Sequence, residues 1–394
     1  MSPAMNIVLP ILAIASTAYA SCSVSGTTTI QNAGDATQLA TCTNTFSGSI
    51  AIETGAAGPI ALDGIKKIDG DLVITNNSII QILSGDSLEE ITGTFKLDTV
   101  QVLNTVNFPK LKTVNEIIWN ALANLQATQF DAEITKVSNL DIQNTQLQSL
   151  EGINLESVDK VTIANNRYIS SIIMQLGNVT NALTLEANNP EVNVSFPNLE
   201  WAFNLTFRNC SSVQVPSLAT LNGSMGLYGN TFEDFSAPNL TKIGGALAFA
   251  SNTELTNITL PELTEVTGAL QIANNTKLSE INGIPKLKTI GGALDFHGNM
   301  SDVELPALND VKGAFNLQST GDIQKACDDS FQPLKDKGKI QGNFVCKGSV
   351  ANPGGEGSTP TVTGAGAKKT GAASALSIDT NALGLVGLAA AFLL

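Results

Sequence analysis

The chain has 394 residues, with 35 acidic against 21 basic side chains and a formal charge of −14. That balance argues against nucleic acid as a partner, because phosphate binding needs clustered Lys and Arg. A single histidine, His297, excludes a histidine-rich metal centre and leaves little for a Ser/His/Asp arrangement, so no catalytic, metal or cofactor-binding residue is assigned.

Residues 1–20 read as a signal peptide. Ile7 to Ala15 form a short apolar core and Ala18-Tyr-Ala20 fits a small-x-small cleavage site. No Lys or Arg precedes the core. Residues 21–46 are expected to cap the domain that follows, with Cys22 and Cys42 bonded, as befits an exported chain.

From about Leu62 to Thr320 the chain repeats itself every 19 to 24 residues. Clear copies are Pro238-Asn-Leu-Thr-Lys-Ile243-Gly-Gly-Ala-Leu247-Ala-Phe249 and Pro285-Lys-Leu-Lys-Thr-Ile290-Gly-Gly-Ala-Leu294-Asp-Phe296. The Ile/Val position marks twelve coils: Ile68, Ile91, Val114, Val137, Val158, Val179, Ala202, Leu221, Ile243, Val266, Ile290 and Val311. Self-similarity at this period means a solenoid. The Leu-x-apolar pair has period two, so each coil carries a strand with two inward apolar side chains. One coil cannot bury that stripe alone, whereas stacked coils share one core. At about 4.8 Å per coil, twelve make a rod roughly 55–60 Å long. Gly244, Gly245, Gly268, Gly291 and Gly292 occupy a slot where an ordinary leucine-rich repeat would carry Leu, and return segments such as 253–260 read as strand. The fold class is therefore all-β, a parallel β-helix with disulfide-bonded caps over 21–346. The pattern resembles the receptor L-domain, which implies a right-handed helix.

An Asn recurs after the strand, at Asn76, Asn144, Asn165, Asn188, Asn209, Asn230, Asn252, Asn274 and Asn299. A short amide that tolerates left-handed backbone suits a tight corner. Stacked corners would align these amides as an inward ladder; the alternative is a set of surface turn-formers. Ten N-glycosylation sequons are present. Asn178, Asn193, Asn204, Asn222, Asn239 and Asn257 are expected to carry glycan. Asn76, Asn209, Asn274 and Asn299 are expected to stay bare, as ladder members.

Residues 322–346 should form the C-terminal cap. A short amphipathic helix over 322–334 precedes Cys346, and a bond from Cys327 would close a loop of about 20 residues, worth roughly 3 kcal/mol. Cys210 is left as a small buried thiol. Residues 347–371 turn to Gly, Ser, Thr, Pro and Ala, a flexible stalk in which Ser358, Thr359, Thr361 and Thr363 suit O-glycans. The chain then runs through the small triplet Gly371-Ala372-Ala373 and a polar spacer to an apolar tail from Ala382 to Leu394. That order forms a signal for a glycosylphosphatidylinositol (GPI) anchor, with 372–394 removed. Gly371 is the first choice of attachment residue, with Ala372 and Gly366 as alternatives. Lys368-Lys369 lie just upstream.

The whole arrangement resembles the fungal GPI-anchored cell-wall organisation family related to sporulation-specific wall proteins. The resemblance implies a surface glycoprotein at the outer face of the plasma membrane, with a possible cell-wall fraction. It implies a role in wall assembly and integrity, wall glycans or wall proteins as partners, and no catalytic residues. By resemblance, Lys368-Lys369 favour retention at the membrane over transfer to wall glucan. Two other readings remain. One is a receptor-like ligand- or glycan-binding ectodomain. The other is a polysaccharide-cleaving β-helix, which would need paired carboxylates within about 10 Å. The outward strand positions include Asp141 and Asp295, seven coils and roughly 30 Å apart, so no pair is expected. His297, following inward Phe296, reads as a solvent-facing corner residue.

Overall fold

The computed structural model describes residues 22–354. The signal peptide, residues 355–371 of the stalk, the anchor segment, Gly371 with Gly366 and Ala372, and Lys368-Lys369 lie outside the described residues.

The described chain is a parallel β-solenoid of about 14 turns. The marker residues stack in the order expected: Ile68 on Ile91, Ile91 on Val114, Val179 on Ala202, and so on to Ile290 on Val311. One further turn joins at each end, where Phe46 pairs with Ile68 and Ile340 bridges to Val311. The caps therefore continue the helix before they close it. The Leu-x-apolar strands stack likewise, Leu247 on Leu270 on Leu294. In-register parallel pairing places like positions over one another, so one inward stripe per coil becomes a continuous core. Aromatic contacts run along it, Phe95 to Trp119 at 5.5 Å and Phe235 to Phe249 at 5.4 Å between ring centroids. The return segments are strands, as expected; Asn257–Thr259 pairs with Asp234–Ser236.

Each corner has a local cause. Proline fixes φ for the second position of a β-turn, and the leucine two residues on closes that turn, as in Leu240 N–H to Ala237 O at 3.2 Å and Leu263 to Leu260 at 3.2 Å. The glycine slot is a stack of Gly245, Gly268, Gly292, Gly313 and Gly342, each N–H donating to the glycine one coil back at 2.7–3.0 Å. A Cβ on Gly268 would stand 2.7 Å from the Gly245 carbonyl carbon, so no larger residue fits.

The asparagine ladder exists, one residue away from most of its expected members. Asn188, Asn230 and Asn252 point inward, as expected. Asn76, Asn144, Asn165, Asn209 and Asn274 instead hold the left-handed corner at φ of 51–58°, and with Asn299 are exposed. Their successors enter the ladder: Asn77, Thr145, Asn166, Cys210 and Asn275. Asn252 is typical. Its Nδ2 donates to Leu227 O at 3.0 Å and to Asn275 Oδ1 at 3.0 Å, and its Oδ1 accepts from Asn230 N–H at 3.0 Å. The shift has a physical reason. A corner needs one residue in left-handed backbone and the next with an inward amide, and Asn suits both. At Asn76-Asn77, Asn165-Asn166 and Asn274-Asn275 the first makes the turn and the second fills the ladder, whereas at Asn188-Asn189 the turn falls on Ala187 and the first Asn fills it.

Both ends are covered, which removes open strand edges. Helix Ala33–Leu39 is capped by Asn32, whose Oδ1 accepts from Gly34 N–H at 2.8 Å and Asp35 N–H at 3.2 Å. A disulfide joins Cys22 and Cys42. The C-terminal helix begins at Gln324, two residues later than expected, and passes through a π-helical turn over Ala326–Phe331. Phe331 packs on Phe315 at 4.9 Å, and strand Phe344–Lys347 adds to Phe315–Ser319. A second disulfide joins Cys327 and Cys346. Cys210 is a buried free thiol, pushed up to about 12 by burial against a weaker opposing hydrogen bond to Arg208 O.

Candidate functional site

The long strands present a flat outward face, set by the alternation that turns every second side chain away from the core. Its positions are in register at each step read from the sequence, from Lys96 beside Ile118 through Asp141, Thr162, Thr184, Thr206, Gly226, Ala248 and Gln271 to Asp295 and Asn316. Asp141 and Asp295 thus stand seven coils apart. Asp141 accepts from Gln143 at 2.7 Å. The neighbouring outward positions add Asp98, paired with Lys96 at 3.8 Å, and Glu186, paired with Arg208 at 3.7 Å.

Three features of this face were not read from the sequence. Arg208 lies 4.3 Å from the centroid of the Tyr228 ring, and that ring lies flat over Gly226, where a Cβ would meet it. Burial pushes the Tyr228 phenol above its ordinary value, against the weaker opposing charge of Arg208. His297 is not solvent-facing. It projects outward but is only 9 % exposed, folded down so that Nδ1 stands 3.3 Å from Asp295 Oδ1. Asp295 also accepts from Asn316 at 2.7 Å and Gln271 at 3.2 Å. Burial alone would raise its carboxyl; the bonds from His297, Asn316 and Gln271 outweigh it and hold the group below its ordinary value. The chain beyond the cap folds across this end, with Gly354 O accepting from Asn316 and Gln318, each at 2.9 Å.

A second surface lies along the marker strands. An open groove of about 370 Å³ crosses several coils, with Lys136, Ser157 and Asn178 along one wall and Ser138, Asp159 and Thr180 along the other. At the next coil two aromatic side chains follow, Trp201, half-buried, and Phe203, 44 % exposed. They flank inward Ala202, and that alternation was visible in the sequence. Among the described residues no cluster of His, Cys, Asp and Glu could hold a metal ion.

The six sequons expected to carry glycan all reach the surface. Asn193, Asn222, Asn239 and Asn257 are exposed, and Asn178 and Asn204 half-buried. Asn204 Oδ1 accepts from Ser224 N–H at 2.8 Å, which leaves its Nδ2 outside that bond.

A family model described as "GPI-anchored cell wall organization protein", Ecm33, matches residues 4–40. The chain is 40 % identical over 342 residues to "Protein ecm33" of Aspergillus fumigatus, covering 86 % of this chain and 84 % of that one. It is 34 % identical over 338 residues to "Cell wall protein ecm33" of Schizosaccharomyces pombe, covering 85 % and 78 %. It is 31 % identical over 318 residues to "Sporulation-specific protein 2" of Saccharomyces cerevisiae, covering 80 % and 63 %. No solved structure matches. With two-fifths identity sustained along most of both sequences, the chain belongs to the Ecm33 family of GPI-anchored cell-wall organisation proteins.

Proposed function

We propose that this protein is a non-enzymatic surface glycoprotein that organises the fungal cell wall from the outer face of the plasma membrane. Family membership carries the reading. The character of the rod supports it. The flat face offers short neutral side chains and carboxylates already engaged, and Asp141 and Asp295 are too far apart for glycoside hydrolysis. A stiff stack of coils spaces and presents wall components without needing a catalytic pocket. The partners are wall glycans or wall proteins, and the membrane is reached through a GPI group on Gly371 at the end of the 347–371 stalk.

Two measurements test this. Phosphatidylinositol-specific phospholipase C, or deletion of 382–394, should release the protein to the medium; a deleted form that stays on membranes rules out the anchor. The released protein should then bind wall polysaccharide on a glycan array without liberating reducing ends. Reducing-end release would make it an enzyme, and tight binding to one protein alone would favour a receptor-like role. Changing Lys368 and Lys369 to Ser should move protein into the glucanase-released wall fraction.

A further inference from the structure

We propose that Trp201 and Phe203 form a seat for the first sugars of an N-glycan on Asn178. The proposal rests on export through a glycosylating compartment, as the function above requires. Asn178-Val179-Thr180 is a sequon on one strand, and Trp201-Ala202-Phe203 lies on the next strand in the stack. Asn178 pairs directly with Trp201 and Val179 with Ala202. Beyond them the register slips by a bulge, so Phe203 stands opposite Thr180 and Asn181. Val179 and Ala202 point into the core, both fully buried. Asn178, Thr180, Trp201 and Phe203 therefore project together on the outer side. Directly opposed side chains on paired strands are in contact range.

The surroundings make this pair of rings anomalous. Along the same stack Trp201 is preceded by Thr113, Lys136, Ser157 and Asn178 and followed by Thr220 and Lys242. Single exposed apolar residues need no explanation, but two rings on one strand in a polar wall do. An N-acetylglucosamine has an apolar C–H face and a polar rim. Linked to Asn178, it can lay the face on the rings. Its rim then meets the hydroxyl and carboxylate groups of the groove, of which Ser157 and Asp159 stand one coil away. The occupant is thus the chain's own glycan, added during export and folded down on the finished rod.

The test uses full-length protein from the native host. Intact-glycopeptide mass spectrometry should find Asn178 occupied, with its glycan less trimmed than that on exposed Asn239. Endoglycosidase should release it from native protein several-fold more slowly than the glycan on Asn239. Thr is common along this face, so Trp201→Thr with Phe203→Thr is the mild variant. It should lower Tm by about 2–4 °C in glycosylated protein and by less in Asn178→Gln protein, which has no sugar there. Equal losses in the two backgrounds, or equal release rates at Asn178 and Asn239, overturn the seat. If no sequon is occupied, the export reading fails. If Asn239 and Asn257 carry glycan and Asn178 does not, only the seat fails. Loss of binding to insoluble glucan by the Thr variant, with Asn178 bare, would assign the rings to an external sugar instead.

Discussion

Adjacent asparagines do different work in this protein, and single substitutions should separate them. Asn252→Ala removes both halves of a ladder rung. Asn230 N–H loses its acceptor and Leu227 O one of its donors, both in the interior. At about 1–3 kcal/mol per buried unsatisfied group, with the weakened rung besides, the expected loss is about 2–3 kcal/mol, read from denaturant midpoints. Asn274→Ala disturbs only a left-handed corner at φ 54° and should cost about 1 kcal/mol, with Asn274→Gly close to neutral. Equal costs at the two sites would refute this division. Asp295 sets a pH dependence. Its folded carboxyl lies below the ordinary value of 3.8, so its contribution is fully present above that value and lost as pH falls through the lower folded value. Asp295→Asn should flatten thermal stability as pH falls below 3.8; an unchanged acid limb would mean that the bonds from His297, Asn316 and Gln271 contribute nothing.

The corner elements explain why so degenerate a repeat still stacks. Proline turns fix each corner within its coil, and glycine stacking and the asparagine ladder act between neighbouring coils, so each coil needs only a few correct residues. Gly268→Ala should be among the most damaging small changes, because its Cβ would meet backbone of the preceding coil, which cannot rotate away. We expect a loss of several kcal/mol by denaturation, against under about 1 kcal/mol for the same change at open Gly55, which has no atom within 4 Å of its Cβ. The caps act on the ends. Replacing Cys327 and Cys346 by Ser should cost roughly 3 kcal/mol by loop entropy and expose first the last coils. Hydrogen exchange should rise around Phe315 and Phe344 before it rises at Leu183, deep in the stack.

At the scale of the molecule the corrected ladder changes which sites can carry sugar. Asn76, Asn209, Asn274 and Asn299 are exposed corner residues whose side chains lie outside the core. The reason for expecting them bare is therefore gone, and all ten sequons are accessible. We expect glycan on corner sites such as Asn274 and Asn299 as well as on Asn239 and Asn257, measurable by intact-glycopeptide mass spectrometry. Bare corners beside occupied return segments would show that something other than burial controls attachment.

The solenoid, the marker register and the outward strand positions were legible from the chain alone, because each depends on local periodicity that every coil repeats. Cys22 with Cys42, and Cys327 with Cys346, could be read for a different reason: each pair lies in a cap outside the repeats of an exported chain. Which of two neighbouring asparagines turns inward was not legible, since the residue type suits both places and only the backbone at the corner separates them. Nor was the burial of His297, whose ring meets Asp295 on its own strand, a carboxylate that Asn316 from the next coil also holds. The meeting of Asn178 with Trp201 was legible, since each precedes a marker, Val179 and Ala202; the bulge beyond them, which sets Phe203 opposite Thr180 and Asn181, was not, because coils of unequal length are brought into register only by stacking.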